Sequence, residues 1–486
     1  MNKNIESLSP AGLWKNFKSL TQIPRPSKKE GRIIEFVKNF GEDLGLNTYV
    51  DNAGNIIIKK PATKGMENKK GVIFQSHLDM VPQKNSDKVH DFEKDPIEAY
   101  IDGEWVRANG TTLGADNGIG VAAMLTLLES KDIQHGPVEA LFTIDEETGM
   151  TGAFALKAGL LKGDILLNLD SEDEGELYIG CAGGIDANID FDYTEDKVPS
   201  GFKAYTVKLY GLKGGHSGLD INLGRGNSNL VLFRLLRYCE AQAGLRLCEF
   251  EGGNMRNAIP REAVATIIIP DAQTDKFMGM VNNYRSVIKN ELSATEPDIK
   301  LEISEVKMPL RVMQTSLQRR LISAVFACPN GVIRMTDGIP GLVETSTNLS
   351  IVKTTGTKIV INCLLRSSVD SAKEYLAGRI AALFELAGAN ATFTGSYPGW
   401  KPNMNSAIMK TMDNVYRNMY GKEMEIKAVH AGLECGIIGG LYPDLDMVSL
   451  GPTIRHPHSP DEKVHIESVG KFWDFLKETL KHIPEK

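Results

Sequence analysis

Several apolar runs in this chain end in residues that bind metals or move protons. Gly71-Val72-Ile73-Phe74-Gln75-Ser76-His77-Leu78-Asp79 reads as a buried strand closing on a histidine and a carboxylate. In extended backbone residues i and i+2 share a face. Asp79 would then stand behind the His77 imidazole, where a metal-ligating histidine needs an acceptor for its second ring nitrogen. Val138 to Ile144 is a second such strand and runs into Asp145-Glu146-Glu147-Thr148-Gly149. Asp164 to Leu169 is a third, ending at Asp170, and Leu445 to Gly451 is a fourth, leading to Arg455-His456-Pro457-His458. Asp116 precedes the apolar run Ile119 to Leu128, which is too short to span a membrane and reads as a buried helix. An anion is favoured at the N-terminal end of such a helix.

His77, Asp116, Glu147, Asp170 and His458 are five nitrogen or oxygen donors. One carboxylate shared between two ions gives each ion three protein ligands and leaves an open position, as in catalytic zinc sites. Two ions about 3.5–4 Å apart can hold both a nucleophile and the oxygen that gains charge. In the pair Glu146-Glu147 one carboxylate can bind metal while the other takes a proton. Taken singly, each residue has a structural reading. Adjacent glutamates are usually a solvated face, and an aspartate after a strand is often a helix cap. Five of them at strand ends, with glycine in most of the loops, point to chemistry. In open α/β sheets ligands bind beyond the carboxyl ends of the strands, so these residues should converge.

Their motifs resemble those of the di-zinc aminopeptidase, carboxypeptidase and aminoacylase group of metallopeptidases. Ser76-His77-Leu78-Asp79-Met80-Val81-Pro82 is similar to the first metal motif, Asp145 to Gly149 to the base-and-ligand motif, and Gly211 to Gly218 to the second-domain histidine motif. Leu113-Gly114-Ala115-Asp116-Asn117-Gly118, His430-Ala431-Gly432-Leu433-Glu434-Cys435-Gly436 and His458-Ser459-Pro460-Asp461-Glu462 most resemble the bacterial, carnosinase-like Xaa-His dipeptidases. The resemblance runs over essentially the whole chain. It implies His77 and Asp170 on one ion, Glu147 and His458 on the other, and Asp116 on both. It further implies Asp79 as the residue orienting His77, Glu146 as general base, and a cis peptide at Asp116-Asn117. Two Zn2+ per chain are implied, with Co2+ or Mn2+ able to substitute, acting on a dipeptide through a metal-bridged hydroxide. A related tripeptidase or N-acyl amino acid deacylase stays open as an enzymatic alternative. A peptide-binding protein that keeps the metal residues is the non-enzymatic one, and it would need a missing base or ligand.

The implied fold is α/β: a mixed-sheet catalytic domain with an inserted α+β lid. The chain of 486 residues is too long for one core. Four of the five metal residues precede residue 171 and the fifth is His458, so the middle must be an insertion. The catalytic domain is expected over 1–186 and 397–486, and the lid or dimerisation-type domain over 187–396. Within the insertion 204–210, 263–269, 300–306, 348–353 and 359–365 read as strands, and 227–243, 275–294, 314–327 and 371–387 as helices. A split β-α-β motif needs two helices, so four suggest a doubled lid.

Substrate residues follow from the resemblance and from side-chain chemistry. His216, in a glycine-rich loop, is a donor for a developing oxyanion. Arg366, after an apolar strand, can fork onto a C-terminal carboxylate, and Asn257 resembles the group's substrate-binding asparagine. Glu434 and His430 either meet the substrate's amino end or brace their loop. His90, His135, His465 and His482 read as surface residues.

Net charge is −7, with no basic run long enough for nucleic acid. Residues 1–10 lack an apolar signal core, and no stretch reaches membrane-spanning length. The six cysteines are scattered without CxxC spacing, as expected for reduced core residues in a cytosol. The expected setting is therefore cytoplasmic, with no membrane or nucleic acid; the resemblance implies a dipeptide as partner and leaves monomer and homodimer both open.

Overall fold

The computed structural model describes residues 4–486. The chain forms two compact units. The first comprises the chain up to Gly180, Trp400–Ala428 and Leu433–Lys486; the second comprises Cys181–Gly399 and Val429–Gly432.

In the first unit four strands lie parallel, in the order Val138–Thr143, Val72–His77, Ile165–Asn168 and Asp446–Ser449. Antiparallel Ile56–Lys60 and then Asn47–Val50 extend the sheet beyond Val138–Thr143. Every residue of Val72–His77, Val138–Thr143 and Ile165–Asn168 is buried, which is how parallel strands covered on both faces read. The register sets His77 opposite Thr143, Gln75 opposite Asn168 and Asn168 opposite Ser449. All four strands therefore finish within two residues of one level, and their following loops leave from one edge of the sheet. The expected helix is longer than its apolar run, covering Ala115–Glu129 and buried on nearly every side. A small antiparallel sheet pairs Trp105–Ala108 with Lys463–His465, flanked by Ala99–Asp102 and Ile454–Arg455. It brings the approach to Asp116 beside the loop that carries His458.

The second unit is an antiparallel sheet in the order Lys300–Val306, Phe202–Tyr210, Ala263–Pro270, Arg246–Gly252, Val343–Thr354, Lys358–Ser367, Gly183–Asp192 and Asn390–Tyr397. Gly331–Met335 pairs beside Val343–Thr354. Two four-stranded halves meet where Glu251 and Gly252 pair with Lys353 and Val352, in keeping with a doubled α+β arrangement. Helices Ser228–Ala243, Thr274–Glu291, Thr315–Ala327 and Asp370–Leu386 share one apolar core with the sheet, including Phe191, Phe233, Phe250, Phe277 and Phe384. Burying each such ring is worth roughly 1.5–3 kcal/mol over leaving it exposed.

The division falls at 180/181 and 399/400 rather than at 186/187 and 396/397, because Gly183–Asp192 is one continuous strand of the second sheet. Gly183 and Gly184 are not a linker. A Cβ on Gly183 would strike the backbone of Tyr397–Gly399, and one on Gly184 the Tyr397 ring. Two of the histidines expected at the surface are buried. His135 is enclosed with its Nδ1 against the Gly136 carbonyl oxygen, and His90 packs edge-on to Phe92.

Candidate active site

The strand-end residues of the first unit meet at the shared sheet edge. His77 is buried, with Nε2 at 3.1 Å from Asp116 Oδ1 and 3.2 Å from Asp170 Oδ1. The other Asp116 oxygen, Oδ2, lies 3.2 Å from His458 Nε2, which is 3.0 Å from Glu147 Oε2. One carboxylate therefore spans two imidazoles, each with a second carboxylate beside it. The ligand atoms of His77, Asp116 and Asp170, and those of Asp116, Glu147 and His458, each lie within 4.8 Å of one another. The peptide Asp116-Asn117 is cis.

Asp79 stands behind His77 as expected, 3.4 Å from Nδ1. Its carboxylate also accepts from Ser27 Oγ at 2.7 Å and from the backbone N–H groups of Glu146 at 3.0 Å and Glu147 at 3.3 Å. Burial alone would raise its pKa, but these donors pull it down to about 2. Asp79 thus contacts the imidazole and two N–H groups of the Glu146-Glu147 turn together. That turn follows Asp145, whose left-handed φ of 52° is held by bonds from Thr148 and Thr151 to its carboxylate.

This donor set fits cations. Four carboxylates crowd two histidines, and Glu147 Oε1 is buried without a hydrogen-bond partner. Protons feel the same surplus of negative charge. Hydrogen bonds that it donates to the Asp116 and Glu147 carboxylates raise His458 to about 11. Burial would lower His77, yet Asp170 and Asp116 hold it well above its ordinary value. Burial lifts Asp170 to about 6, with Asp116 and Glu147 adding to the rise. Glu146 is pushed well above the carboxylate range, first by burial and then by the charges of Asp170, Glu434 and Glu147.

Glu434 is buried in the first unit. Its Oε2 accepts from Gln75 Nε2 at 2.6 Å and Thr143 Oγ1 at 2.7 Å, which ties it to the strands ending at His77 and Thr143. This favours bracing, although Oε1 has no partner. Gln75 continues to Asn168 at 2.5 Å and Asn168 to Ser449, so a buried polar chain lies beneath the strand ends.

The remaining residues gather in the second unit. His216 pairs with Ala258 in a two-residue ladder, and the Asn257 carbonyl accepts the Ser217 N–H at 2.8 Å. His216 Nδ1 accepts from the N–H groups of Gly218 at 3.2 Å and Leu219 at 3.0 Å. That places the proton of the neutral ring on Nε2, leaving it free to donate. Arg366 lies within the strand Lys358–Ser367 rather than after it, buried, with Nη1 donating to the Tyr397 hydroxyl at 3.2 Å and Nε unpartnered. A Cβ on Gly218 would stand 3.2 Å from both Arg366 Nε and His216 Cε1 and would collide with the His430 carbonyl. His430 Nε2 lies 2.7 Å from Ser346 Oγ. Burial, and then the Arg366 charge, lower His430 to about 3 and move His216 in the same direction.

Sequence reading did not single out Ser27, Asn117 (which donates to Asp170) or Tyr397. Asn117 stood within a quoted motif. Ser27 and Tyr397 carry no local signal, since only tertiary packing brings them to the site.

A sequence profile of Peptidase family M20/M25/M40 matches residues 73–482. A protein of Escherichia coli named cytosol non-specific dipeptidase is 48% identical over 482 residues, 99% of each chain. The crystal structure of an aminoacylhistidine dipeptidase from Vibrio alginolyticus superposes with a TM-score of 0.95 at 52% identity, covering 99% of both chains. An aminopeptidase from Bacillus cereus shares the fold, with a TM-score of 0.58 at 17% identity and coverage of 98% and 99%.

Proposed function

Because this chain belongs to peptidase family M20/M25/M40, we propose that it is a cytoplasmic two-zinc dipeptidase acting on Xaa-His dipeptides, including those of the β-alanyl-histidine type. As a member it is a metallopeptidase and a hydrolase. The observation that carries the two-ion reading is Asp116, whose two oxygens face two different histidines at 3.1 and 3.2 Å. His77 and Asp170 would hold one ion, Glu147 and His458 the other, and Asp116 both. When bound, the ions polarise the scissile carbonyl and bring the pKa of a water toward neutrality.

The chain's own residues would do the rest. Glu146 is not one of the five residues read as ion ligands and has a proton affinity raised by burial, which suits it to take a proton from water and pass it to the leaving amine. Asp79 holds His77 in one orientation. The Nε2–H of His216 would donate to the oxygen that gains charge, and the free guanidinium edge of Arg366 would take the substrate's carboxylate, with Asn257 beside His216. His430 stays neutral and bonded to Ser346, which supports a packing part under Arg366 more than a contact with a charged amine. The cytoplasmic setting is supported by the Escherichia coli relative, which is named a cytosol dipeptidase; among the described residues no helix is long and apolar enough to cross a membrane.

The Escherichia coli relative is named non-specific and the Vibrio protein for aminoacylhistidine, so breadth is the open variable. Hydrolysis rates on Xaa-His dipeptides, other dipeptides, tripeptides and N-acyl amino acids, with added divalent ions, test the reading. We expect kcat/KM highest for Xaa-His and negligible for the last two classes. Equal rates across dipeptides would replace Xaa-His by broad specificity, and faster tripeptide or acyl cleavage would overturn the dipeptidase reading.

A further inference from the structure

Resting on the two-ion reading and deepening it, we propose that Glu462 is a positioning residue that fixes Asp116 and His458 as a single ion-binding pair. Its side chain is 2% exposed, and its carboxylate receives four consecutive backbone N–H groups. Oε2 accepts from Leu113 at 2.7 Å and Gly114 at 2.9 Å; Oε1 accepts from Ala115 at 2.7 Å and Asp116 at 3.3 Å. Successive amides aimed at one point make an anion-binding concavity. They also open the helix Ala115–Glu129, whose first N–H groups have no partner within the helix. Here the anion comes from the chain itself, four residues beyond His458.

A buried cation completes the tie from the opposite side. Arg25 Nη2 donates to the Gly114 carbonyl at 2.5 Å, and Nη1 to the carbonyls of Leu78 at 2.8 Å and Asp79 at 3.0 Å. Gly114 turns the chain at a φ of 69°, and a Cβ there would collide with Arg25 Nη2 and the Met80 sulfur. Arg25 thus links the segment after His77 to the segment before Asp116, and Glu462 links that segment to the His458 loop. The His458 loop needs such a tie. Its side chain is 51% exposed, and both His456 and His458 have positive φ, 54° and 58°. Non-glycine residues keep that backbone only where their surroundings hold them. Glu462 touches neither ion nor substrate in this account; it acts through Asp116 and His458.

The test titrates metal-free protein with Co2+, following visible absorption and bound ions per chain, for the unaltered protein, Glu462→Gln, Glu462→Asp and Glu139→Gln. Glutamine keeps the shape but offers one acceptor oxygen, so at least two of the four N–H groups face an amide instead. Glu139 is the control. It too is a buried carboxylate taking two backbone N–H groups, Lys162 at 2.7 Å and Gly163 at 2.9 Å, but at the opposite end of its strand from the ligands. Glu462→Gln should bind the Asp116–His458 ion about 10–100-fold more weakly, the range for outer-shell partners, with an altered Co2+ spectrum. Glu462→Asp, which keeps the charge, should fall between, and Glu139→Gln should match the unaltered protein. Unaltered affinities and spectrum in Glu462→Gln, or an equal weakening in Glu139→Gln, would overturn the proposal. If circular dichroism shows Glu462→Gln unfolded, Glu462→Asp decides by the same criterion. Fewer than two ions in the unaltered protein would instead overturn the two-ion reading itself, and the proposal with it.

Discussion

Four histidines divide into two pairs with opposite electrostatics. In the first unit His77 and His458 are flanked by carboxylates and hold protons far more tightly than free imidazole. In the second unit His216 and His430 sit beside Arg366 and hold protons less tightly, chiefly through burial and then through that charge. The same side chain is thus prepared for two jobs. A carboxylate-rich pocket attracts cations, and its histidines must shed protons to accept them. A guanidinium-centred pocket attracts anions, and its histidines stay neutral donors. In the proposed reading the first kind would serve to activate water and the second to hold carboxylate and oxyanion.

The largest test of this contrast lies on the anionic side. Glu146→Ala should lower kcat by about 10²–10⁴-fold with ion content unchanged, because a base is lost and no ligand is. Glu147→Ala should lose one ion. Steady-state kinetics together with elemental analysis check the pair, and the reverse pattern would exchange their roles. On the cationic side, Arg366→Ala should raise KM by about 10–100-fold, the worth of a charge-assisted bond. It should also abolish the preference for a dipeptide over its C-terminal amide. If that preference survives, the carboxylate is held elsewhere.

Proton linkage gives a smaller effect with a definite sign. Metal-free His458 carries a proton below about pH 11, and ion binding must release it. Affinity should therefore rise with pH, by up to about tenfold per unit for each proton released. Calorimetry in buffers of different ionisation enthalpy measures that proton count, and no release at pH 7 would contradict the His458 assignment. The smallest effect reports on the second unit. Removing the Arg366 charge should raise the pKa values of His216 and His430, read by NMR titration. Unchanged values would show that burial alone sets them.

The anionic site was readable from sequence because a histidine or carboxylate ending an apolar strand is out of place there. The level strand ends then bring such residues together without further information. Arg25, Ser27 and Glu462 gave no such signal, because they act on backbone groups or on side chains far away in sequence. Four strands of the second unit's main sheet were missed, Gly183–Asp192, Arg246–Gly252, Gly331–Met335 and Asn390–Tyr397, and two of them show why. Arg246–Gly252 carries a register shift between Leu247 and Glu249 that breaks its alternation. Asn390–Tyr397 is a half-exposed edge strand with little apolar pattern to read. The boundary at 186/187 was misplaced because nothing local in sequence shows that Gly183 and Gly184 pack closely against Tyr397–Gly399.

The central claim is that two ions share Asp116 and that hydrolysis depends on both. Chelator-stripped protein should be reloaded with Zn2+ in steps while bound ions per chain and Xaa-His hydrolysis are read on the same samples. The account predicts saturation at two ions per chain, with activity completed only by the second. Saturation at one ion with full activity would contradict it.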